Sequence, residues 1–296
     1  MCDVRRAMPR PRWSALLVLG LALMPLAIAS QEADTSTGAV VNAASQYVAQ
    51  YQQGLTSILA DESLEQEVVR RIPADPRARR LRRMVSEVFF MFTPGTHHWM
   101  AIRDVISVDG AELKDRPDIR RDLETLADED VAATLKAQNS RFNIGRVTRN
   151  FSEPTLCLLV LDARHRDRFE FDRRRVQNVD GVTLVTLAFT EKKSPTLIWD
   201  SMRGKVYSTG DIVVEAGSGR VLETTFRART GDITVELTTK YVRDARLGML
   251  VPASFQESYE GGVNLKSVET GRDYEQVVAR ATYSNYRRFQ TAVRIK

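Results

Sequence analysis

The stretch Ile233-Thr234-Val235-Glu236-Leu237-Thr238 alternates strictly between apolar and polar side chains. Because successive side chains of a strand point to opposite faces, this pattern predicts a β-strand with one dry face and one wet face. The turn Thr230-Gly231-Asp232 precedes this strand, and the pair Gly261-Gly262 follows the next apolar segment. Such short connections join neighbouring antiparallel strands. This part of the chain therefore predicts an antiparallel meander.

Strands of similar character are predicted on both sides of this stretch. Downstream of residue 167 they cover residues 168–173, 182–191, 196–199, 211–215, 220–228, 233–242, 250–259 and 277–295. Upstream they cover residues 65–72, 81–92 and 98–108. Residues 85–92 are apolar on both faces, which is typical of a central strand covered twice. About ten strands in one twisted sheet would curl and leave a concave dry face.

Helical periodicity marks the segments that we expect to cover the concave face. Residues 40–59 carry apolar side chains at helical spacing and predict a one-sided helix. Residues 117–126 and 128–142 also predict helices. Residues 154–163 fit a strand or a helix, and Ser152 ahead of Pro154 favours a helix. The expected fold class is α+β, a curved antiparallel sheet with an N-terminal helix and inserted helices over its concave face.

The first residues have the composition of a secretory signal peptide. Four arginines precede an apolar run over residues 14–29, which ends in the cleavage pattern Ala27-Ile28-Ala29. The run is shorter than the roughly 20 residues that a spanning helix needs. We expect a signal peptide over residues 1–29, a tether over residues 30–38 and a periplasmic or secreted protein; an uncleaved anchor is the alternative. Residues 39–296 are expected to form a single domain with a helical insert near residues 110–165.

Composition excludes several classes of protein. Of the 296 residues 43% are apolar and 27% are charged, which is ordinary for a globular chain. The formal net charge is +5, and residues 1–29 hold three of these charges, so the exported chain is not strongly basic. Cys2 and Cys157 are the only cysteines, which excludes a disulfide-rich scaffold. We expect Cys157, which lies in an apolar run, to be buried and inert.

Residues that could support catalysis are few. The three histidines are His97, His98 and His165, and no familiar catalytic or phosphate-binding motif stands in its required context. Adjacent histidines of one strand point to opposite faces and are poorly placed to chelate a metal. The sequence therefore predicts no enzyme, no metal site and no cofactor. A hydrolase that uses His165 or His97 is the third and least favoured hypothesis.

Arginine is concentrated in two segments. One holds Arg70, Arg71, Arg77, Arg79, Arg80, Arg82 and Arg83, and the other holds Arg164, Arg166, Arg168, Arg173, Arg174 and Arg175. They could lie on solvated strand faces and loops, or they could contact an anionic membrane surface. Aromatic residues are not interleaved with them, so no nucleic acid partner is expected. The oligomeric state is left open.

Several short segments of the chain carry a family resemblance. They are Val88-Phe89-Phe90, Arg103-Asp104-Val105, Arg141-Phe142-Asn143-Ile144-Gly145, Pro154-Thr155-Leu156, Gly219-Arg220-Val221, Arg246-Leu247-Gly248-Met249-Leu250-Val251-Pro252 and Ala281-Thr282-Tyr283-Ser284-Asn285-Tyr286-Arg287-Arg288-Phe289. With them the chain resembles secreted bacterial proteins in the superfamily of the outer-membrane lipoprotein-sorting carrier, the LolA-like superfamily. This resemblance implies an unclosed antiparallel β-barrel with helices at its mouth and an apolar cavity that holds acyl chains. The chain departs from the carriers in its length and in the insert near residues 110–165.

Two functions follow as hypotheses. The first is an envelope binding module that shelters an apolar ligand, such as an acyl chain, a lipid or a lipoprotein, since burial of apolar surface provides the binding free energy. Its candidate ligand-binding residues are Phe90, Phe92, Trp99, Trp199 and Phe226. The second is a non-catalytic envelope scaffold whose core is filled and which acts through surface contacts.

Overall fold

The structure is a computed structural model of the chain. It describes residues 33–56, 58–72, 75–93, 98–114, 116, 137, 139–147, 149, 153–263 and 273–288. Of residues 71–72, 75–78, 91–93, 98–99, 263 and 273 it describes the backbone alone. The predicted signal peptide, the predicted helix over residues 117–126 and most of that over residues 128–142 lie outside the described residues, as does His97.

Thirteen strands are present in the described part of the chain. They are β1 (Ile58–Ile72), β2 (Asp75–Thr93), β3 (His98–Val108), β4 (Ala111–Glu112), β5 (Phe169–Val179), β6 (Val182–Glu191), β7 (Ile198–Asp200), β8 (Gly204–Val206), β9 (Ser208–Glu215), β10 (Val221–Thr230), β11 (Ile233–Asp244), β12 (Met249–Val263) and β13 (Asp273–Arg288). Eleven of them form one antiparallel sheet in the order β4-β3-β2-β1-β13-β12-β11-β10-β9-β6-β5. Because β4 and β5 do not pair, the sheet is unclosed, and the predicted α+β class with a curved antiparallel sheet is confirmed.

The meander predicted for the second half of the chain runs from β9 to β13, each strand paired with the next. A second meander runs from β1 to β4. The two are joined where β1 pairs with β13, a contact between the two ends of the described chain. The paired residues of β1 and β13 have the largest sequence separation in the sheet, and no local sequence pattern predicts their pairing.

Helix α1 (Thr37–Leu55) lies against the inner face of the sheet, which is the face that carries most of the buried side chains. The Oγ atom of Ser36 caps its first turn by accepting the backbone N–H of Ala39. Its buried side chains are Val40, Val41, Ala44, Val48, Tyr51 and Leu55. The predicted extension to residue 59 is wrong, because Thr56 takes an extended backbone and Ile58 already pairs with Phe90 in the sheet.

Part of the connection between β4 and β5 also covers the inner face. Residues 154–163, for which a helix was favoured, contain a 3₁₀ helix over Leu156–Leu161. Five of its six side chains are buried, and Cys157 is one of them, as predicted. The core is therefore a sheet on one side and α1 with this 3₁₀ helix on the other.

Charged side chains of this connection are buried as well. Arg149 donates from Nη1 to Glu257 Oε1 at 2.8 Å, and both side chains are buried. Glu275 accepts the backbone N–H groups of Arg146 and Val147 at 2.6 and 3.2 Å. Because each buried charge has a partner, the connection is fixed to β12 and β13 by directional contacts as well as by apolar packing.

One of the predicted strands is not part of the eleven-stranded sheet. The segment over residues 196–199 contributes to β7, which pairs with β8 in a separate two-stranded sheet. This pair of strands, the β7–β8 hairpin (Ile198–Val206), interrupts the connection between β6 and β9, which pair directly with each other.

Candidate ligand-binding pocket

A cavity of about 610 Å³ opens between α1 and the strands β9 to β11. It is closed on one side by the turn between β11 and β12. The lining comprises Tyr47, Gln50, Tyr51, Gly54, Glu215, Arg220, Leu222, Tyr241, Val242, Arg243, Leu247, Gly248, Met249, Leu250 and Arg288. Its volume lies within the range of about 300–1,000 Å³ that small-molecule sites occupy.

Helix α1 provides one wall through a single face. Tyr47, Gln50, Tyr51 and Gly54 stand three, four and seven positions apart, which places them above one another on a helix. The last of these lies close to the opposite wall, since a Cβ at Gly54 would be 3.2 Å from Cε of Met249. The helix and the β11–β12 turn thus meet closely at this end of the pocket.

The β11–β12 turn is held by its first residue. The carboxylate of Asp244 accepts the backbone N–H groups of Arg246 and Leu247, both at 2.9 Å. Gly248 donates its N–H to the Asp244 carbonyl and has a φ of +69°, which few other residues adopt without strain. These hydrogen bonds fix the turn, and with it the part of the pocket wall that Leu247 and Met249 form.

Three tyrosines form the inner wall. The ring centroids of Tyr47 and Tyr51 are 5.6 Å apart, and Tyr51 meets Tyr241 edge to face at 6.2 Å. Burial raises the pKa of all three phenols well above the ordinary value. They are neutral at physiological pH, so the wall offers uncharged aromatic surface.

The hydroxyl of Tyr47 has an unmet hydrogen-bonding capacity. Its oxygen is buried, and no hydrogen-bond partner for it exists among the residues that the structure describes. By contrast, the Tyr241 hydroxyl donates to the carbonyl of Pro154 at 2.9 Å. A buried polar group without a partner is costly. The oxygen is also closed to a ligand in the pocket, since almost none of its surface is accessible.

Three arginines surround the pocket. Arg220 donates to Glu215 at 3.2 Å, and both side chains line the pocket. Neither Arg243 nor Arg288 forms an ion pair with another described residue. Both are exposed, and three cations against one carboxylate leave the rim positively charged. The pocket therefore combines an apolar and aromatic interior with a cationic rim, an arrangement that suits a molecule with an apolar body and an anionic end.

The five residues predicted from the sequence do not converge on this pocket. Phe90 is fully buried between Tyr283 and Tyr286, and Phe226 is fully buried beside Phe189. Trp199 lies on the β7–β8 hairpin with two-thirds of its surface exposed. Phe92 and Trp99 are register partners of β2 and β3, and their side chains are not described. A ligand contact by any of the five stays a prediction.

The pocket residues were only partly visible in the sequence. Tyr47 and Tyr51 belong to the apolar stripe of the predicted helix, where they would be assigned to the core. The turn residues Leu247–Leu250 lie in a segment that carries the family resemblance. The arginines come from three different strands and turns, so only the fold brings them together.

The two arginine-rich segments make many contacts within the protein. Arg79 and Arg83 pair with Glu67 and Glu65 on the neighbouring strand, at 2.6 and 3.0 Å. Arg70 reaches Glu275 at 2.7 Å, and Arg173 donates to Thr35. Arg79 and Arg83 are exposed, in agreement with a solvated strand face, whereas Arg70 reaches a buried carboxylate.

The described residues contain neither a cluster of metal ligands nor a membrane-spanning helix. No group of three or more histidine, cysteine or acidic side chains among them is placed to hold a metal ion. No helix in the described ranges has the length and apolarity needed to cross a bilayer. Of the histidines, only the side chain of His165 is described; it lies at the start of a short 3₁₀ helix, outside the pocket lining.

Comparison with known proteins gives a structural likeness only. No family model and no curated protein matches the chain. The chain is similar to solved LolA-like structures. A LolA superfamily protein from Nitrosomonas europaea is 12% identical, with 84% of this chain and 94% of that chain covered and a TM-score of 0.30. A putative outer membrane lipoprotein-sorting protein domain from Vibrio parahaemolyticus is 12% identical, with 86% and 94% covered and a TM-score of 0.31.

A DUF1329 family protein from Desulfovibrio piger is 10% identical, with 86% of this chain and 95% of that chain covered and a TM-score of 0.32. The solved structures thus include the superfamily that the sequence resembles. At such identities and TM-scores they do not say what this chain binds. Its function has to be inferred from the pocket.

Proposed function

We propose that the protein is an exported binding module that holds an anionic amphiphile, such as a fatty acid or an anionic lipid, in the pocket between α1 and β9 to β11. The observation that carries this proposal is the pairing of a tyrosine-lined interior with an arginine rim. The apolar part of the ligand would contact Tyr47, Leu222 and Met249. Its anionic end would lie near Arg243 and Arg288.

Elementary energetics support such a complex. Moving apolar surface out of water stabilises the bound state by about 25 cal/mol per Å². The cationic rim adds attraction for a carboxylate or a phosphate, although this attraction is weakened by solvent because the arginines are exposed. A neutral ligand of the same length would be stabilised by the burial of its apolar surface but not by attraction to the arginines.

The proposal includes a periplasmic or secreted location after cleavage of residues 1–29. Its support is the signal-peptide pattern of the sequence. Contact of the arginine-rich segments with an anionic membrane, also predicted from the sequence, stays a prediction, and the ion pairs of Arg70, Arg79 and Arg83 reduce the charge that those segments offer.

Binding of a fluorescent fatty acid tests this function. We expect saturable binding to the parent protein, and we expect Arg243→Ala combined with Arg288→Ala to weaken it about fivefold. Leu222→Trp should abolish binding by filling the interior. Mass spectrometry of an organic extract of the purified protein should show a co-purifying lipid or fatty acid.

The matched control is Arg246→Ala. Arg246 lies in the same turn as Leu247 but is not part of the pocket lining. Its removal should leave the affinity for the probe unchanged. If the parent protein bound no probe and its extract held no lipid, the binding function would be excluded.

The second candidate function is a scaffold with a filled core. It is favoured by the described part of the connection between β4 and β5, in which the side chain of Arg149 and most of the 3₁₀ helix Leu156–Leu161 are buried. A well-folded protein with an empty extract and no probe binding would support this alternative.

A further inference from the structure

The β7–β8 hairpin has one face against the protein and one face toward solvent. Ile198 and Val206 form a register pair and are both buried. Trp199 and Lys205 form the next pair, so they share the opposite face. The hairpin is therefore attached through its aliphatic pair and presents an aromatic and a cationic side chain outward.

Three large apolar side chains on or next to this hairpin are exposed to solvent. Trp199 is 66% exposed and Met202, at the tip, is 82% exposed. Tyr207, directly after β8, is 48% exposed. Single exposed apolar residues are common, but an exposed indole, thioether and phenol on one short hairpin and the residue that follows it indicate a contact surface.

The tip is held in one conformation. Asp200 accepts the backbone N–H groups of Met202 and Arg203 at 2.8 and 3.1 Å, and it also accepts the hydroxyl of Thr230 on β10. The indole of Trp199 lies over Gly204, where a Cβ would be 3.5 Å from the ring. The exposed side chains are thus presented by a fixed turn and pay little ordering cost on contact.

The segment that contains the hairpin is rich in cations. Residues 192–207 contain Lys192, Lys193, Arg203 and Lys205 against the single carboxylate of Asp200, which faces inward to Thr230 and the turn. Lys192 lies 3.5 Å from Glu170, which reduces its free charge. Arg203 lies 3.7 Å from the carboxylate of Asp200, which reduces its free charge in the same way. Lys193 and Lys205 are exposed, and Lys205 shares the face of the exposed indole.

We propose that the β7–β8 hairpin docks the protein on a membrane surface that contains anionic phospholipid. Tryptophan and methionine enter the boundary between headgroups and acyl chains, while lysine and arginine remain at the phosphates. A basic apolar tip of this kind is complementary to an anionic bilayer in both charge and polarity. The site is separate from the pocket, since none of its residues lines the cavity.

Quenching by brominated lipid tests the insertion of the tip itself. In a full chain with Trp13→Phe and Trp99→Phe, Trp199 is the sole tryptophan. With vesicles of phosphatidylglycerol and phosphatidylcholine whose acyl chains are brominated, we expect its emission to shift to the blue and to be quenched. Vesicles of phosphatidylcholine alone should have a much weaker effect.

Flotation of the otherwise unchanged chain provides the second measurement. Trp199→Ala with Met202→Ala should lower its partition into the anionic vesicles about tenfold. The matched control is Leu81→Ala with Val85→Ala, which removes exposed apolar surface from β2 and should leave the partition unchanged. Unquenched emission from vesicle-bound protein, or equal partition of the hairpin variant and the parent, would overturn the proposal; so would association of the hairpin with a protein partner but not with vesicles.

Discussion

Arg149 and Glu257 form a buried ion pair that joins the long connection between β4 and β5 to the middle of strand β12. Nη1 of Arg149 lies 2.8 Å from Oε1 of Glu257, and Nη2 of the same guanidinium donates to Gln66 on β1. The hydroxyl of Tyr259 lies 3.3 Å from the other oxygen of Glu257. A single arginine thus fixes the connection to two strands that are not adjacent.

Loss of one partner of this pair should destabilise the protein strongly. Glu257→Gln leaves the Arg149 charge buried without its counter-charge, and we expect the free energy of unfolding to fall by about 3–5 kcal/mol. Denaturant unfolding measures this change. The double variant Arg149→Met with Glu257→Gln should be less destabilised than Glu257→Gln alone, because the unpaired charge is then absent. Equal stability of Glu257→Gln and the parent would contradict the ion pair.

In the turn between β9 and β10 a methyl group should cost more stability at one glycine than at another. Gly217 and Gly219 both have a positive φ, but a Cβ at Gly219 would lie 2.1 Å from the carbonyl oxygen of Ala43 on α1. A Cβ at Gly217 meets only Ala33, at 3.5 Å. We expect Gly219→Ala to lower the melting temperature clearly more than Gly217→Ala, since only the former displaces the helix. Thermal unfolding of the two variants decides this, and equal losses would show that backbone strain alone is responsible.

Cys157 should react slowly with thiol reagents. Its side chain is buried in the 3₁₀ helix, and burial raises the pKa of the thiol, so little thiolate is present at neutral pH. In a Cys2→Ser chain, where Cys157 is the sole thiol, labelling of the folded protein should be far slower than labelling in denaturant. Equal rates would place Cys157 at the surface.

Asp61 should contribute to stability in a way that depends on pH. Burial tends to raise the pKa of this carboxyl, but hydrogen bonds from Asn285 and Arg287 outweigh it and hold the pKa below the ordinary value. A depressed folded-state pKa stabilises the protein above the unfolded-state pKa, and the contribution is lost as the pH falls through the folded-state value.

Substitution Asp61→Asn should therefore cost less than about 1 kcal/mol at pH 7, since the pair is partly exposed and screened. The difference from the parent should decrease below about pH 4. The exposed Asp172 on β5 provides a control, and Asp172→Asn should change the stability little at either pH. A difference for Asp61→Asn that persisted unchanged in acid would show that the carboxylate charge is not involved.

Most strands could be predicted from the sequence because alternation is a local property. The bounds of β3 and β6 agree with those expected from period-two patterns at residues 98–108 and 182–191. The predicted start of α1 lies within three residues of the observed start, because an apolar stripe can be recognised from neighbouring turns of the helix alone. Its end was misplaced, since Ile58 and Leu59 fit a helical stripe as well as they fit the strand that follows.

The sequence by itself determined that the chain forms an antiparallel sheet with an amphipathic helix over its apolar face, because burial of a one-sided pattern requires a partner surface. Only the tertiary structure decided where a ligand could bind. The pocket draws Tyr47 from α1, Arg220 from the β9–β10 turn, Arg243 from β11 and Arg288 from β13, positions that are far apart along the chain. Trp199 shows the same dependence, since a tryptophan in an apolar strand can face the core or the solvent, and the pairing of Ile198 with Val206 decides which.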